Sequence, residues 1–187
     1  MKESSTALLI IDMINNFDFP EGEILAAKAE KISGPIKTLK EKCAAEAIPV
    51  IYVNDHYSLW QADFEKIADY CRNENSRDII DCLYPSDDDY FLIKPKHSAF
   101  YGTALNTLLL QLNVKNLIIT GVAGNICVLF TANDAYMREY SLYVPENCLA
   151  SNDDHDNENA LKMMKNVLNA GTEPFSEKNS ISACFPS

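Results

Sequence analysis

Positive charge, glycine and long apolar runs are all scarce in this sequence. The 187 residues carry 27 acidic side chains against 16 lysines and arginines, which gives a formal net charge of −11. A field of that sign repels phosphate backbones and anionic lipids, so we expect no nucleic-acid or membrane partner. No apolar run approaches the roughly 18 to 20 residues that a membrane span needs. With only six glycines and no GxGxxG after the first apolar run, a dinucleotide-binding dehydrogenase is excluded.

Cysteine and histidine are present without the spacing of a metal site or a disulfide framework. None of the six cysteines forms a CxxC pair, and the three histidines stand at no recognised ligand spacing. We therefore expect free thiols, no catalytic metal and no cofactor. The first residues, MKESSTALLIID, lack a separate apolar segment and cleavage site, so we expect a cytoplasmic protein.

The order of apolar patterns predicts an α/β protein. Short apolar runs typical of buried strands alternate with longer stretches that have helical spacing. The runs are 7–11, 49–53, 90–93, 117–120 and 141–144, and the helical stretches are 24–47, 102–112, 127–140 and 158–170. This alternation predicts a Rossmann-like arrangement of three layers, a parallel sheet with helices on both faces. The length fits a single domain over 1–187, with 179–187 as a loose tail.

Chemically capable side chains follow four of the predicted strands. Asp12 ends the first run, Asn54 and Asp55 the second, Lys94 the third, and Cys127 comes shortly after the fourth. Because the carboxyl ends of parallel strands form the ligand-binding edge of such a sheet, we expect these groups to converge.

Cys127 is the candidate nucleophile of this group. It lies where a glycine-bearing turn leads into a predicted helix, and the helix N-terminus and a nearby Lys94 ammonium would favour its thiolate. Asp12 could accept the thiol proton and return it to a leaving amine. Two structural alternatives stay open here: Asp12 and Lys94 as an ordinary buried ion pair, and Cys127 as a small apolar core residue.

Four stretches together resemble a known family. ALLIIDMINNF, IYVNDHYSLW, KPKHSAFYGTAL and ITGVAGNICVLFTANDAYMREYSLYV are similar to the successive signatures of the isochorismatase-like cysteine hydrolases. That family includes nicotinamidases, carbamoylsarcosine amidohydrolases and ureidoacrylate amidohydrolases. The resemblance covers residues 7–150 and implies a six-stranded sheet of order 3-2-1-4-5-6 and assembly into homodimers or homotetramers.

The resemblance also implies roles for individual residues. The catalytic triad falls on Asp12, Lys94 and Cys127, with Lys94 preferred to Lys96 because the family's lysine directly follows its strand. A cis peptide bond maps onto Val122 and Ala123. It would turn the amide of Ala123 toward the point faced by the amide of Cys127, and the two would form an oxyanion hole.

One departure from the nicotinamidase pattern bears on the substrate. Those enzymes carry an Asp-x-His metal pair after the second strand, whereas here His56 directly follows Asp55 and no further histidine precedes His97. The departure supports the expectation of no metal and makes nicotinamide a less favoured substrate.

Several polar and aromatic residues close to the strand ends are candidates for lining a pocket, although aromatic side chains near a sheet usually belong to the core. They are Asn16, Phe17, Asn54, Trp60, His97, Phe100 and Tyr101. The segment 60–89 is predicted as a helix plus an insertion that either covers the site or only connects.

The leading hypothesis is a hydrolase that cleaves the C–N bond of a small amide, ureide or carbamoyl compound through a thioester. One alternative is isochorismate-type vinyl ether hydrolysis, which needs no cysteine. Another is a non-catalytic binding protein on the same scaffold.

Overall fold

A computed structural model describes residues 5–185 and shows a parallel sheet between two layers of helices. The strands are β1 Thr6–Ile11, β2 Val50–Asp55, β3 Tyr90–Lys94, β4 Asn116–Val122, β5 Ser141–Tyr143 and β6 Leu149–Ala150. The α-helices are α1 Gly22–Ala45, α2 Phe64–Cys71, α3 Arg77–Cys82, α4 Leu105–Gln111, α5 Leu129–Tyr136 and α6 Asp154–Asn166. Short helical turns occupy Gly124–Val128, Glu146–Cys148 and Ile181–Cys184. Within the described chain, no helix is long and apolar enough to cross a membrane.

The sheet has six parallel strands, and five of them run in the order 3-2-1-4-5. The sixth differs from the order that the resemblance implies, because β6 pairs with β4 rather than with β5. β5 is short and pairs only with the first half of β4, so the end of β4 is left open for β6. On its other side, β5 is followed by an isolated parallel bridge, in which Tyr143 pairs with Gly171.

Alternate side chains of β1 supply the two halves of the core. Leu8 and Ile10 pack on one face of the sheet with residues of α1, α2 and α3. Leu9 and Ile11 pack on the other face with residues of α4, α5 and α6. Every residue of β1 is buried, as expected for a central strand covered on both sides. The predicted three layers are confirmed.

The segment 60–89 folds into two helices rather than one. The segment is hydrogen-bonded to the loop after β1. The Cys71 thiol donates to the Ile14 carbonyl at 3.6 Å, and the Asn73 amide donates to the Asn16 carbonyl at 2.7 Å.

The tail is held against the core over 181–185, which corrects the expectation of a loose end there. Ile181 is buried in the cluster beneath α1, and the ring of Phe185 packs edge-on against Tyr143 with centroids 6.2 Å apart. Lys42 of α1 binds the carbonyls of Glu177 and Asn179 at 2.7 and 2.6 Å. Residues 186 and 187 lie outside the described part of the chain.

Candidate active site

The two central strands approach closely just before the site. Gly121 has a φ of 114° and pairs with Ile11, and a Cβ at Gly121 would stand 2.0 Å from the Ile11 carbonyl oxygen. Only glycine fits such an approach. Asp12 follows with a φ of 51°, in the left-handed region that aspartate tolerates better than most residues. Asp12 is thereby placed beside Val122, where β4 ends.

Asp12, Lys94 and Cys127 meet at this edge. The Lys94 ammonium lies 2.8 Å from Asp12 Oδ2 and 3.5 Å from the Cys127 sulfur. The Asp12 carboxylate is also near enough to the thiol to act on its pKa. Asp12 Oδ1 accepts a further hydrogen bond of 3.0 Å from the backbone amide of Asp55. The sequence-predicted convergence of a carboxylate, an ammonium and a thiol is therefore present in the structure.

The protonation of the thiol differs from the sequence-based expectation. Burial, and after it the Asp12 carboxylate, raise the pKa of Cys127 to about 12, while the Lys94 ammonium acts to lower it. This direction is opposite to the expectation that the helix N-terminus and Lys94 would favour the thiolate, because the cost of burying a charged sulfur outweighs the attraction of the ammonium. For Lys94, burial opposes the charged form, but Asp12 and Cys127 outweigh it and raise the pKa above the usual value.

Cys127 lies within a π-helical turn, Gly124–Val128, that precedes α5. The helical segment therefore begins three residues earlier than the predicted start at Cys127. The Ala123 carbonyl accepts hydrogen bonds from the amides of Ile126 and Val128, each at 3.1 Å, and these two donors flank Cys127 along the chain. The peptide bond between Val122 and Ala123 is cis, at the position where the resemblance places one.

A cavity of about 400 Å³ opens onto the three side chains. Asp12, Lys94 and Cys127 all contribute to its lining, and so do Val122 and Ala123. Of the seven pocket candidates, Asn16 and His97 line this cavity. The Nδ1 atom of His97 stands 4.0 Å from the Cys127 sulfur, and the ring stacks on Phe130 with centroids 5.8 Å apart.

The other five candidates do not line this cavity. Two of them lie in the core, one is a buried amide and two are exposed to solvent. Phe17 and Phe100 are core residues, because their loops turn the rings inward. Asn54 is fully buried and its amide donates to the Ile14 carbonyl at 2.6 Å. Trp60 and Tyr101 are 64% and 62% exposed, and Trp60 stacks on His56 instead of facing the cavity.

Sequence reasoning missed several residues that do line the cavity. They are Asn15, Leu25, Tyr57, Pro95, Lys96, Ile126 and Asn152. Asp55, which the sequence predicts at this edge, and Phe19, an aromatic residue that follows Asp12 in the sequence, also line it. Ile126 follows from its position beside the nucleophile. Asn152 comes from the loop before α6, and its amide donates to the Glu21 carbonyl at 2.9 Å. Nothing in the local pattern around Asn152 signals that contact.

The histidines are separate from one another. His56 stacks on Trp60 at 3.8 Å, His97 stands beside Cys127, and His155 lies in the first turn of α6. Within residues 5–185, no group of three or more histidine, cysteine, aspartate or glutamate side chains is arranged to hold a metal ion.

Comparison with known proteins gives a consistent result. The isochorismatase domain model matches residues 6–175. The isochorismatase family protein YaaI of Bacillus subtilis is 63% identical over 168 residues, which cover 90% of this chain and 93% of that protein.

Among solved structures, the N-carbamoylsarcosine amidase of Thermoplasma acidophilum has a TM-score of 0.73 at 29% identity, with 94% of this chain and 99% of that chain covered. The nicotinamidase SaPncA of Staphylococcus aureus has a TM-score of 0.71 at 24% identity, over 91% and 98% of the two chains. The second likeness is one of fold.

Proposed function

Because the chain belongs to the isochorismatase family, whose members are hydrolases and include amidohydrolases, we propose that it hydrolyses a C–N bond of a small amide, ureide or carbamoyl compound through a thioester on Cys127. The observation that carries the proposal is the contact of one thiol with an ammonium that is itself paired with a carboxylate, with all three side chains lining one cavity. The cavity's size suits a small molecule.

In the first half of the reaction, Cys127 attacks the substrate carbonyl carbon. Since the pKa of the resting thiol is raised to about 12, the sulfur needs a base, and the Asp12 carboxylate, which lines the same cavity, accepts the proton. Lys94 stabilises the sulfur as negative charge develops. The amides of Ala123 and Cys127 hold the oxyanion of the tetrahedral intermediate.

Collapse of that intermediate breaks the C–N bond. Asp12 gives its proton to the departing nitrogen, so the amine or ammonia leaves neutral and the acyl group stays on the sulfur as a thioester. Water then attacks the thioester carbonyl with Asp12 again as base, and the second collapse breaks the C–S bond. The carboxylic acid or carbamate leaves, and the sulfur regains its proton.

The alternative chemistry, vinyl ether hydrolysis, makes no use of the sulfur. A thiol that is held between Asp12 and Lys94 favours the C–N hydrolase over it. A binding protein on the same scaffold has no requirement for the three groups to be in contact at all.

We also propose that the protein assembles from copies of itself in the cytoplasm. Ile126, in the turn that carries Cys127, and Phe130, in α5, are 36% and 51% exposed. A second copy of the chain packed against these two side chains would narrow the cavity mouth. Six free thiols suit a reducing compartment. Light scattering tests the assembly: a monomeric mass for the wild type, or a Phe130→Ser variant with an unchanged mass, contradicts this interface.

A screen of small amides and ureides for ammonia release tests the proposed reaction. Cys127→Ala is the blank, and Cys82→Ala, which alters a partly buried thiol on α3, is the matched control. We expect turnover in the wild type and control, none in Cys127→Ala, and an acyl adduct on the Cys127 peptide in rapid-quench mass spectrometry. Ammonia release that survives in Cys127→Ala contradicts the thioester mechanism, and no ammonia release from any compound by the wild type favours the vinyl ether hydrolase or the binding protein.

A further inference from the structure

The loop that carries part of the cavity wall is fastened to the helix that follows the nucleophile. After Lys94 the chain runs through Lys96 and His97, which line the cavity. It then reaches Ser98, whose hydroxyl donates to Asp134 Oδ2 of α5 at 2.5 Å. The amide of Ala99 donates to the hydroxyl of Thr131, also on α5, at 2.9 Å.

The residues that receive these bonds share a helix face with the nucleophile. Cys127, Thr131, Asp134 and Arg138 follow one another at intervals of four, three and four residues, the spacing of one helical face. Arg138 completes the contact, since its guanidinium lies 4.7 Å above the Phe100 ring and 3.6 Å from Asp134 Oδ1. The loop 95–100 thus lies along the face that bears the thiol.

The wall segment 95–97 has two anchors of different kinds. At its start, Lys94 is the last residue of β3 and is held in register with Asp55. At its end, the Ser98 to Asp134 and Ala99 to Thr131 bonds are the restraint. His97, between the two anchors, makes contacts of longer range, at 4.0 Å to the Cys127 sulfur and 5.8 Å to the Phe130 ring.

We propose that Asp134 is a positioning residue which, by accepting the Ser98 hydroxyl, holds the wall segment 95–97 closed over the Cys127 thiol. The inference deepens the proposed hydrolase function and rests on it for its biological meaning, but the geometry it claims is independent of turnover. Asp134 touches neither the thiol nor the cavity lining; it acts through Ser98. Loss of the bond leaves the Ala99 to Thr131 bond as the remaining restraint at that end, which loosens the wall and lets His97 move away from the sulfur.

The size selectivity of Cys127 alkylation tests the closed wall without a substrate. Rates with iodoacetamide, a small reagent, and with N-ethylmaleimide, a bulkier one, are followed on the Cys127 peptide by mass spectrometry, because five other cysteines are present. In Asp134→Ala we expect the N-ethylmaleimide rate, relative to the iodoacetamide rate, to rise up to about tenfold, the factor in an equilibrium that the loss of one hydrogen bond produces.

Three further variants separate positioning from general stability. Asp134→Asn keeps an oxygen that accepts the Ser98 hydroxyl, and we expect the wild-type ratio. Ser98→Ala should match Asp134→Ala, and the double variant should add little, because both remove the same bond between Ser98 and Asp134. Glu158→Ala removes an exposed i,i+4 ion pair with Lys162 on α6 and is the control. If Asp134→Ala does not fold, Ser98→Ala decides alone.

The outcomes separate the two proposals. A ratio in Asp134→Ala and Ser98→Ala no higher than in Glu158→Ala overturns the positioning role, whatever the protein hydrolyses. A raised ratio that Asp134→Asn restores supports the role even if the ammonia screen finds no turnover, and in that case only the hydrolase proposal fails.

Discussion

Two lysine–aspartate pairs with little solvent exposure lie at opposite edges of the sheet, and only one of them belongs to a candidate active site. At the carboxyl edge, Lys94 and Asp12 are 2.8 Å apart with side chains 3% and 9% exposed. At the amino edge, Lys40 of α1 and Asp89, which precedes β3, are 2.6 Å apart with side chains 16% and 7% exposed. Distance and burial alone therefore do not distinguish the two pairs.

Their remaining partners do distinguish them. Lys40 also binds the Tyr52 hydroxyl at 3.1 Å and the Tyr84 carbonyl at 3.2 Å, and Asp89 Oδ2 accepts the amide of Ser86 at 2.7 Å. The contacts of Lys40 join α1 to β2 and to the segment between α3 and β3. Lys94 and Asp12 share a thiol instead, and that thiol faces a cavity. A buried pair becomes a candidate for catalysis when its third partner is a nucleophile that a small molecule can reach.

Neutralising the carboxylate of each pair gives the largest expected contrast. Because Asp12 moves the proton, Asp12→Asn should lower kcat/KM for the amide found by the ammonia screen by about 10²- to 10⁴-fold. Asp89→Asn should leave kcat/KM within about twofold, since the two sites lie at opposite edges. Steady-state kinetics measures both. Comparable losses in the two variants, with both proteins folded by circular dichroism, contradict the division of roles.

The reactivity of the thiol sharpens the same comparison. With a pKa of about 12, the thiolate fraction of Cys127 should grow about tenfold per pH unit from pH 7 to beyond pH 9, whereas a free cysteine levels off once the pH passes about 8.5. Asp12→Asn removes a charge that raises this pKa, so iodoacetamide should react faster at pH 8. Lys94→Met removes the charge that lowers it, so the reaction should slow.

Asp12→Asn and Lys94→Met are thus expected to change the alkylation rate of Cys127 in opposite directions. The matched changes at the other pair, Asp89→Asn and Lys40→Met, should leave the Cys127 rate unchanged. A plateau in the wild-type rate below pH 8 means that Cys127 is already a thiolate at rest and needs no base. A slower reaction in Asp12→Asn means that the help of the carboxylate in removing the thiol proton outweighs its effect on the pKa.

Much of the fold follows from pattern alone. The apolar runs place β1, β2 and β4 to within two residues at their starts and ends, because buried strands need continuous apolar sequence. The meeting of Asp12, Lys94 and Cys127 follows from one rule about parallel strands. β6 could not be placed, since its two residues have no periodicity and pair where the short β5 leaves β4 open.

The finer properties of the site depend on distances that no pattern contains. The pKa of Cys127 is decided by burial and by two opposite charges. Sequence reasoning took account of the lysine, which lowers the pKa, but not of the burial and the carboxylate, which raise it more. Trp60 and Phe17 follow strand ends as a pocket residue would, yet both lie in turns with positive φ of 52° and 53°. Those turns direct one ring to the surface and the other into the core.

A moderate effect on stability is expected from the amino-edge pair. Lys40→Met removes the partner of Asp89 and leaves the carboxylate, 7% exposed, with only the Ser86 amide. A loss of about 1 to 3 kcal/mol in the free energy of unfolding is expected for a buried polar group deprived of its partner. Urea denaturation measures it, and Lys37→Met, on the same helix, is the control. A loss no greater than that of the control means that the pair contributes nothing to stability.

The smallest expected effect tests whether the amino-edge network is only structural. The hydroxyl of Tyr52, a fully buried residue, donates to the Leu83 carbonyl at 2.8 Å and accepts from Lys40. Tyr52→Phe keeps the ring in the core and deletes one oxygen, so the free energy of unfolding should fall by about 1 kcal/mol. Cys127 alkylation should not change, because the hydroxyl points toward α3 and away from the cavity. A stability loss accompanied by altered Cys127 reactivity shows instead that the two edges of the sheet are coupled, and the distinction between a structural and a catalytic ion pair then fails.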